Sequence, residues 1–389
     1  MHQYARYFEK YRTMAATRQI EELAPSDVLA SIRAEMQNEL KGRTDLEVDR
    51  ALRTRLDNFH LEIFNQTQAE VTKRWTYEGT INRPYFHVTE LEPDQLDNWN
   101  GYLDFEETEG DYARIAFLYE RCVVTCAHYE EFWLRYARWM YAQQGHEEEV
   151  RNIFARASCQ YVPIAKPEIR VMWALFEETS GRPTVASAIY EAILFALPSH
   201  LPAVVSLANL QRRQHGYEAA LEIYRQYIPN PECSSDTKGA LVAEMARMAY
   251  RYKGSAEEAR NIFQSQWQSY IDSQPFWFAY LKFELEQPTT LETEGAQHER
   301  IKAVHDNIRR NSRLAPEVIK TLSQSYMSYL TERSDKDSAR EYMDLDAEVN
   351  GPVSIVPLMR TKVMAANAVK NAPAAAAGLT ANGHTGTPS

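Results

Sequence analysis

Residues 99 to 107 read WNGYLDFEE, and residues 277 to 285 read WFAYLKFEL. The shared pattern, W-x-x-Y-L-x-F-E, spaces its aromatic residues at i, i+3 and i+6, which puts them on one face of a helix. WLRYARWM at 133 to 140 keeps the Trp and the Tyr, and RVMWALFEE at 170 to 178 keeps the third aromatic and both Glu, with Trp173 in the Tyr slot. A second motif follows the first, since EEVRNIF at 148 to 154 returns as EEARNIF at 257 to 263, and IAFLYERCV, ASAIYEAIL and ALEIYRQYI fill other copies. Its anchors Tyr119, Phe154, Tyr190, Tyr224 and Phe263 lie 35, 36, 34 and 39 residues apart, and His305 adds a sixth copy 42 residues further on. A helix pair of that length cannot bury its apolar face alone, so the chain has to stack such pairs.

Punctuation agrees with the period. EGD at 109 to 111, QQGH at 143 to 146, SGRP at 180 to 183, QHGY at 214 to 217 and KGSA at 253 to 256 supply turn residues inside the pairs, while Pro163, Pro167, Pro198, Pro202, Pro229, Pro231, Pro275 and Pro316 fall between them. With only 14 Gly and few β-branched runs, the composition disfavours sheet, and 389 residues exceed the roughly 250 to 300 at which a single core stops growing. The expected fold is all-α, an α-solenoid of six to seven helix pairs. Trp99, Tyr102, Phe105, Trp133, Tyr136, Trp173, Phe176, Trp277, Tyr280 and Phe283 in the first helices, with the anchors of the second, are the expected core. Glu106, Glu177 and Glu284 recur beside them and are expected to bond within the repeats.

Several functional classes lack their residues. The formal charge of −11 makes counterion release from a phosphate backbone a poor default source of affinity. No apolar run reaches the roughly 18 residues of a membrane span, and the first 20 residues lack a signal peptide's apolar core, so a soluble intracellular protein is expected. Cys122, Cys126, Cys159 and Cys233 show neither paired C-x-x-C spacing nor a disulfide framework; Cys122 and Cys126 sit one helical turn apart without further ligands, so small core residues are expected rather than a metal site. No nucleophile, metal or phosphate-cradling motif is present, and neither an enzyme nor a cofactor is expected.

Trp, Tyr and an acidic residue stand where a tetratricopeptide needs Gly or Ala, and the combination resembles the half-a-tetratricopeptide (HAT) repeat. Within that group, KRWTYEGTINRPYFHVTELEPDQLDNWNGYLDFEETEG and LYERCVVTCAHYEEFWLRYARWM resemble the C-terminal half of the pre-mRNA-processing factor 39 family, over roughly residues 60 to 345. The resemblance implies a nuclear scaffold rather than a catalyst, working with U1 small nuclear ribonucleoprotein proteins in 5′ splice-site recognition, and a homodimer or a pairing with a related HAT protein. The alternative is an RNA-binding or 3′-end-processing HAT scaffold. Such proteins usually carry a further array, of which residues 1–24 would be the end. Residues 25–80 then form a linker and a long connecting helix, from about 46 to 80, with Leu52, Leu56, Phe59 and Ile63 as its apolar stripe. Residues 81–345 form the repeat array and 346–389 a mostly disordered tail.

Four surface expectations follow. Pro84 ends the long helix, and Tyr85 and Phe86 dock onto the array, which leaves His87 without a catalytic partner. Nine carboxylates and no Lys or Arg lie between Arg83 and Arg114, to be read as a solvated face or as an acidic surface for a basic partner tail. Lys302, Arg309, Arg310 and Arg313 are candidates for a secondary contact to RNA or to an acidic partner. Finally, Ile319, Leu322, Tyr326, Tyr329, Leu330, Tyr342 and Leu345 leave more apolar surface on the last helices than a terminal cap needs, and are the expected dimer interface.

Overall fold

Thr44 opens a 36-residue helix with a capping box, its N–H donating to Glu47 Oε2 at 2.9 Å. That helix organises the first of two units in the computed structural model, which describes residues 3–36, 41–42, 44–290, 292–333 and 335–351. The units are Met1–Ile169 and Arg170–Ser389. In the first, α1 (Tyr4–Ala15) and α2 (Ser26–Glu35) lie against the early turns of α3 (Asp45–Thr80), enclosing Ala15, Ile20, Leu23, Leu29, Ile32, Leu52 and Leu56. Phe59 and Ile63, expected on the same stripe, are substantially exposed. Helix pairs follow: α4 (Pro93–Glu109) with α5 (Tyr112–Thr125), and α6 (Glu130–Ala142) with α7 (Glu147–Arg156), which runs into a π-helical turn at Ala157–Tyr161. Gly110, at φ 81°, ends α4 in the left-handed conformation that other residues adopt only with strain, and Asp111 then caps α5 by accepting the Arg114 N–H at 3.0 Å.

The second unit takes most of α8 (Glu168–Thr179), then α9 (Pro183–Ala196), α10 (Leu201–His215), α11 (Tyr217–Tyr227), α12 (Ser235–Lys253), α13 (Ala256–Gln266), α14 (Gln274–Leu285), α15 (Glu294–Asn311), α16 (Pro316–Glu332) and α17 (Ser338–Asn350). Pro sits in the first turn of α9, α10, α14 and α16, where its missing N–H costs no helix bond. Two apolar cores form here, one around Tyr190, Leu207 and Tyr224, the other around Phe263, Phe276, Trp277, Ile301 and Tyr326. Every described element is helical, and the fold is an α-solenoid of HAT-type pairs.

Two expectations need correction. Tyr85 does not dock and stands 58% exposed, while Phe86 meets the array only at its edge, its ring against His128 at 5.0 Å, and stays 43% exposed, because the bonds that order their segment join other residues. Leu322, Tyr326, Leu330 and Leu345 are not free for a dimer, since α17 folds back on α16 and all four are buried in the chain's own core, with Ile319, Tyr329 and Tyr342 packed half-buried at its margin. Their helical spacing reflected a last pair closing on itself. The last helix also continues past 345 to Asn350, into the tail expected at 346–389, and residues 352–389 of that expectation lie outside the described residues.

Candidate functional site

The aromatic repeat positions build a ladder. Tyr119 stacks on Tyr136 of the next pair with ring centroids 4.7 Å apart and planes 9° off parallel, and Phe263 stacks on Tyr280 at 4.6 Å and 7°. His305, in the same slot, stacks on Tyr326 at 4.5 Å. Tyr77 near the end of α3 makes the same contact with Tyr102, at 5.1 Å and 3°. Thus the end of the long helix acts as the second helix of a preceding pair. Its signal was in the sequence, where TYEG at 76 to 79 resembles LYER at 118 to 121. Trp99, Tyr102, Tyr119, Trp133, Tyr136, Phe154, Phe176, Tyr190, Tyr224, Phe263, Trp277, Tyr280 and Phe283 are buried, whereas Phe105 and Trp173 are half-buried. Trp173 Nε1 donates to Glu177 Oε1 at 3.0 Å.

Charges are laid over this ladder in clamps of an Arg on a carboxylate, joined at Glu78 and Glu120 by a Tyr hydroxyl. Arg121 donates to both oxygens of Glu78 at 2.6 and 2.9 Å while the Tyr102 hydroxyl donates to Glu78 Oε1 at 2.9 Å. One pair later Arg156 reaches Glu120 at 2.9 and 2.8 Å, with Tyr136 on Oε1 at 3.0 Å. Glu106 lies buried against Arg74, whose Nη2 donates to Oε2 at 3.0 Å, and buried Glu284 takes Arg260 Nε at 2.9 Å. Such bidentate contacts fix the angle between helices as well as their spacing.

A cleft of about 460 Å³ opens between α3 and α5, over α4. Ile63, Val71, Leu118 and the 67%-exposed Phe117 give it apolar walls, and Glu70, Arg74, Glu106, Arg114 and Arg121 line its floor and rim. Arg114, Arg74 and Lys73 hold the Glu70 carboxyl down at about 2. Burial and the Glu78 carboxylate push the Tyr102 phenol up. Glu70 and Tyr102 are thus each held in one protonation state by their neighbours, Glu70 as the carboxylate and Tyr102 as the neutral phenol. What the cleft offers is a fixed apolar and charged surface.

Other candidates fall elsewhere. His87 Nδ1 accepts the Thr89 N–H at 3.1 Å and lies 2.7 Å from the Thr89 hydroxyl, which also accepts from Arg83 Nη1 at 3.0 Å, so the ring serves the connector's own turn. Cys122 and Cys126 are buried, burial pushes the Cys122 thiol well up, and no cluster of described residues could hold a metal ion. In the basic group, Lys302 Nζ lies 3.2 Å from Glu341, Arg309 2.6 Å from Glu348 and Arg310 3.4 Å from Asp306, while the Arg313 backbone N–H donates to Ile271 O at 2.8 Å. Three of those four cations are therefore shared with carboxylates. No helix of the described residues is long and apolar enough to cross a membrane.

Residues 72–213 match a family model described as the PRP39 C-terminal HAT repeat. Pre-mRNA-processing factor 39 of Schizosaccharomyces pombe is 43% identical over 371 residues, which cover 91% of this chain and 61% of that protein. The Homo sapiens protein of the same name is 35% identical over 239 residues, covering 61% and 34%. Cleavage stimulation factor subunit 77 of Arabidopsis thaliana is 28% identical over 247 residues, covering 61% and 33%. The chain thus spans less than two thirds of the length of each of these relatives. On the W-x-x-Y-L-x-F-E ladder, the family-model match and the fission-yeast identity together, the chain belongs to the pre-mRNA-processing factor 39 family of HAT-repeat proteins.

Proposed function

We propose that the chain is a non-enzymatic, nuclear scaffold of the splicing machinery that associates with the U1 small nuclear ribonucleoprotein during 5′ splice-site recognition. The observation that carries the proposal is its 43% identity, across 91% of its length, to a protein named for pre-mRNA processing. Its surface chemistry supports contacts with proteins more than with naked RNA, because Lys302, Arg309 and Arg310 are already paired to acids and the formal charge is −11. Direct RNA contact is secondary in this proposal. Affinity purification from nuclei with mass spectrometry tests it: U1 proteins should be recovered. Recovery of cleavage and polyadenylation factors instead would favour the 3′-end alternative, which the similarity to cleavage stimulation factor subunit 77 keeps in view.

We further propose dimerisation, with a second copy or with a related HAT protein, through the margin of the last pair rather than its core. Ile319, Tyr329 and Tyr342 are half-buried there, and Met343 is 63% exposed. A stable contact of this kind buries more than about 2,000 Å² in total. Size exclusion with light scattering at micromolar concentration should give the homodimer near twice 44.9 kDa, and Tyr342→Glu with Met343→Glu should return it to the monomer mass. A monomeric intact chain would exclude the homodimer.

A further inference from the structure

The connector from Ile81 to Glu92 is tied by its own polar groups, buries Leu91, and leaves three other apolar side chains on the surface. Arg83 Nη1 and Nη2 donate to Thr89 Oγ1 and to the Thr89 carbonyl, both at 3.0 Å, and the Thr89 N–H donates to His87 Nδ1 at 3.1 Å. The ends are fastened too, since Asn82 N–H donates to Gln95 Oε1 at 3.1 Å and Leu91 N–H to the Tyr129 hydroxyl at 2.7 Å. Yet Tyr85, Phe86 and Val88 are 58%, 43% and 74% exposed. A connector ordinarily gives its polar side chains to water and tucks its apolar ones beneath. Here Leu91 is tucked in, but the bonds among Arg83, His87 and Thr89 order a segment whose Tyr85, Phe86 and Val88 stay on the surface.

The apolar patch does not end with the connector. Phe86 sets its ring edge-on against His128, centroids 5.0 Å apart and planes at 83°, and His128 Nδ1 donates to the Tyr161 carbonyl at 2.7 Å. Tyr161 is itself 41% exposed. Beside the patch run Glu90, Glu92, Asp94 and Asp97, all exposed, and no cation of the described residues pairs with any of them. Elsewhere in this unit, by contrast, Glu70 is matched by Arg114, Glu78 by Arg121 and Glu120 by Arg156.

We infer that this patch is a docking surface for a protein segment that carries a bulky apolar side chain flanked by Lys or Arg. The apolar tips are held in place before binding, so little conformational entropy is lost on contact. The unmatched carboxylates select a cationic flank and repel a phosphate backbone, which distinguishes a basic peptide from RNA. The inference holds whichever assembly the scaffold serves.

Selection of the full chain against a displayed library of random 12-residue peptides tests it. Enriched peptides should be net positive with at least one bulky apolar residue. They should bind the Tyr85→Ser/Val88→Ser variant about five-fold more weakly or worse, with its melting temperature unchanged, since both side chains are exposed and neither makes a loop bond. Glu90→Gln/Glu92→Gln should also weaken binding and flatten its salt dependence. No enrichment, enrichment of neutral or acidic peptides, or undiminished binding to Tyr85→Ser/Val88→Ser would overturn the inference. So would a 12-nucleotide single-stranded RNA that binds the wild-type chain and is lost on the same variant.

Discussion

Arg74 and Glu106 have side chains only 6% and 3% exposed, so each is a charge that folding strips of water and returns to its partner. Removing one partner leaves the other uncompensated, a loss of about 3 to 5 kcal/mol, whereas replacing both with apolar residues of similar size is often neutral or stabilising. Arg74→Met alone and Glu106→Leu alone should therefore each lower stability by that amount, and the double variant should recover most of it. Urea denaturation of the four proteins decides; additive losses would show that the pair is not coupled. His305 gives the residue scale a pH dependence. Burial, then the nearby Arg309, lowers it from 6.5 to about 4, and its Nε2 meets Ser323 Oγ at 3.0 Å. Below pH 6.5 the unfolded chain takes up this proton and the folded chain does not, so the contribution is complete above pH 6.5 and is lost as pH falls towards 4. The loss is of order 3 kcal/mol. Thermal melts from pH 7 to 4.5 should show a smaller decline for His305→Phe than for wild type, and parallel curves would remove His305 as the cause.

Among the elements, α12 meets the start of α14 closely at Gly239, which lies inside a helix rather than at a turn. A Cβ there would sit 2.2 Å from Ser273 Oγ, 2.8 Å from Ser273 Cβ and 3.1 Å from Phe276 Cβ. Ser273 is fully buried. Gly239→Ala gains roughly 1 kcal/mol of helix propensity but overpacks a closed seam, at a cost of about 1 to 3 kcal/mol. The expected net result is a lower melting temperature, restored in part by adding Ser273→Gly; a stabilised Gly239→Ala would mean that the helices part without cost. Gly239 also marks where the sequence stopped being informative. Helix pairs were legible because aromatic spacing records which face is buried, and that face repeats. Spacing does not record what covers the face. Hence Leu322, Tyr326, Leu330 and Leu345 looked available when α17 already covers them, and Tyr77 was passed over because one long helix hides the end of a pair. The outward turn of Tyr85, Phe86 and Val88 depends on bonds six residues or fewer apart that no periodicity encodes.

At the scale of the molecule, the ladder and the clamps are local. Tyr77 meets Tyr102, Tyr119 meets Tyr136, Phe263 meets Tyr280 and His305 meets Tyr326, each a contact between one pair and the next. Stability in such an array is a sum of pair terms and nearest-neighbour terms, so damage should fade with distance along the chain. Trp277 offers the sharpest probe, being fully buried with Phe276 and Tyr280 against its ring and Trp267 close by. Trp277→Ala removes the largest side chain of that core and should cost about 3 to 5 kcal/mol. If coupling runs from neighbour to neighbour, native-state hydrogen exchange should show the greatest loss of protection in α12 to α16, less in α10 and α11, and little in α4 and α5. Equal loss from α4 to α16 would mean that the array opens as one cooperative block, and the nearest-neighbour account of these stacked aromatic pairs would then have to be given up.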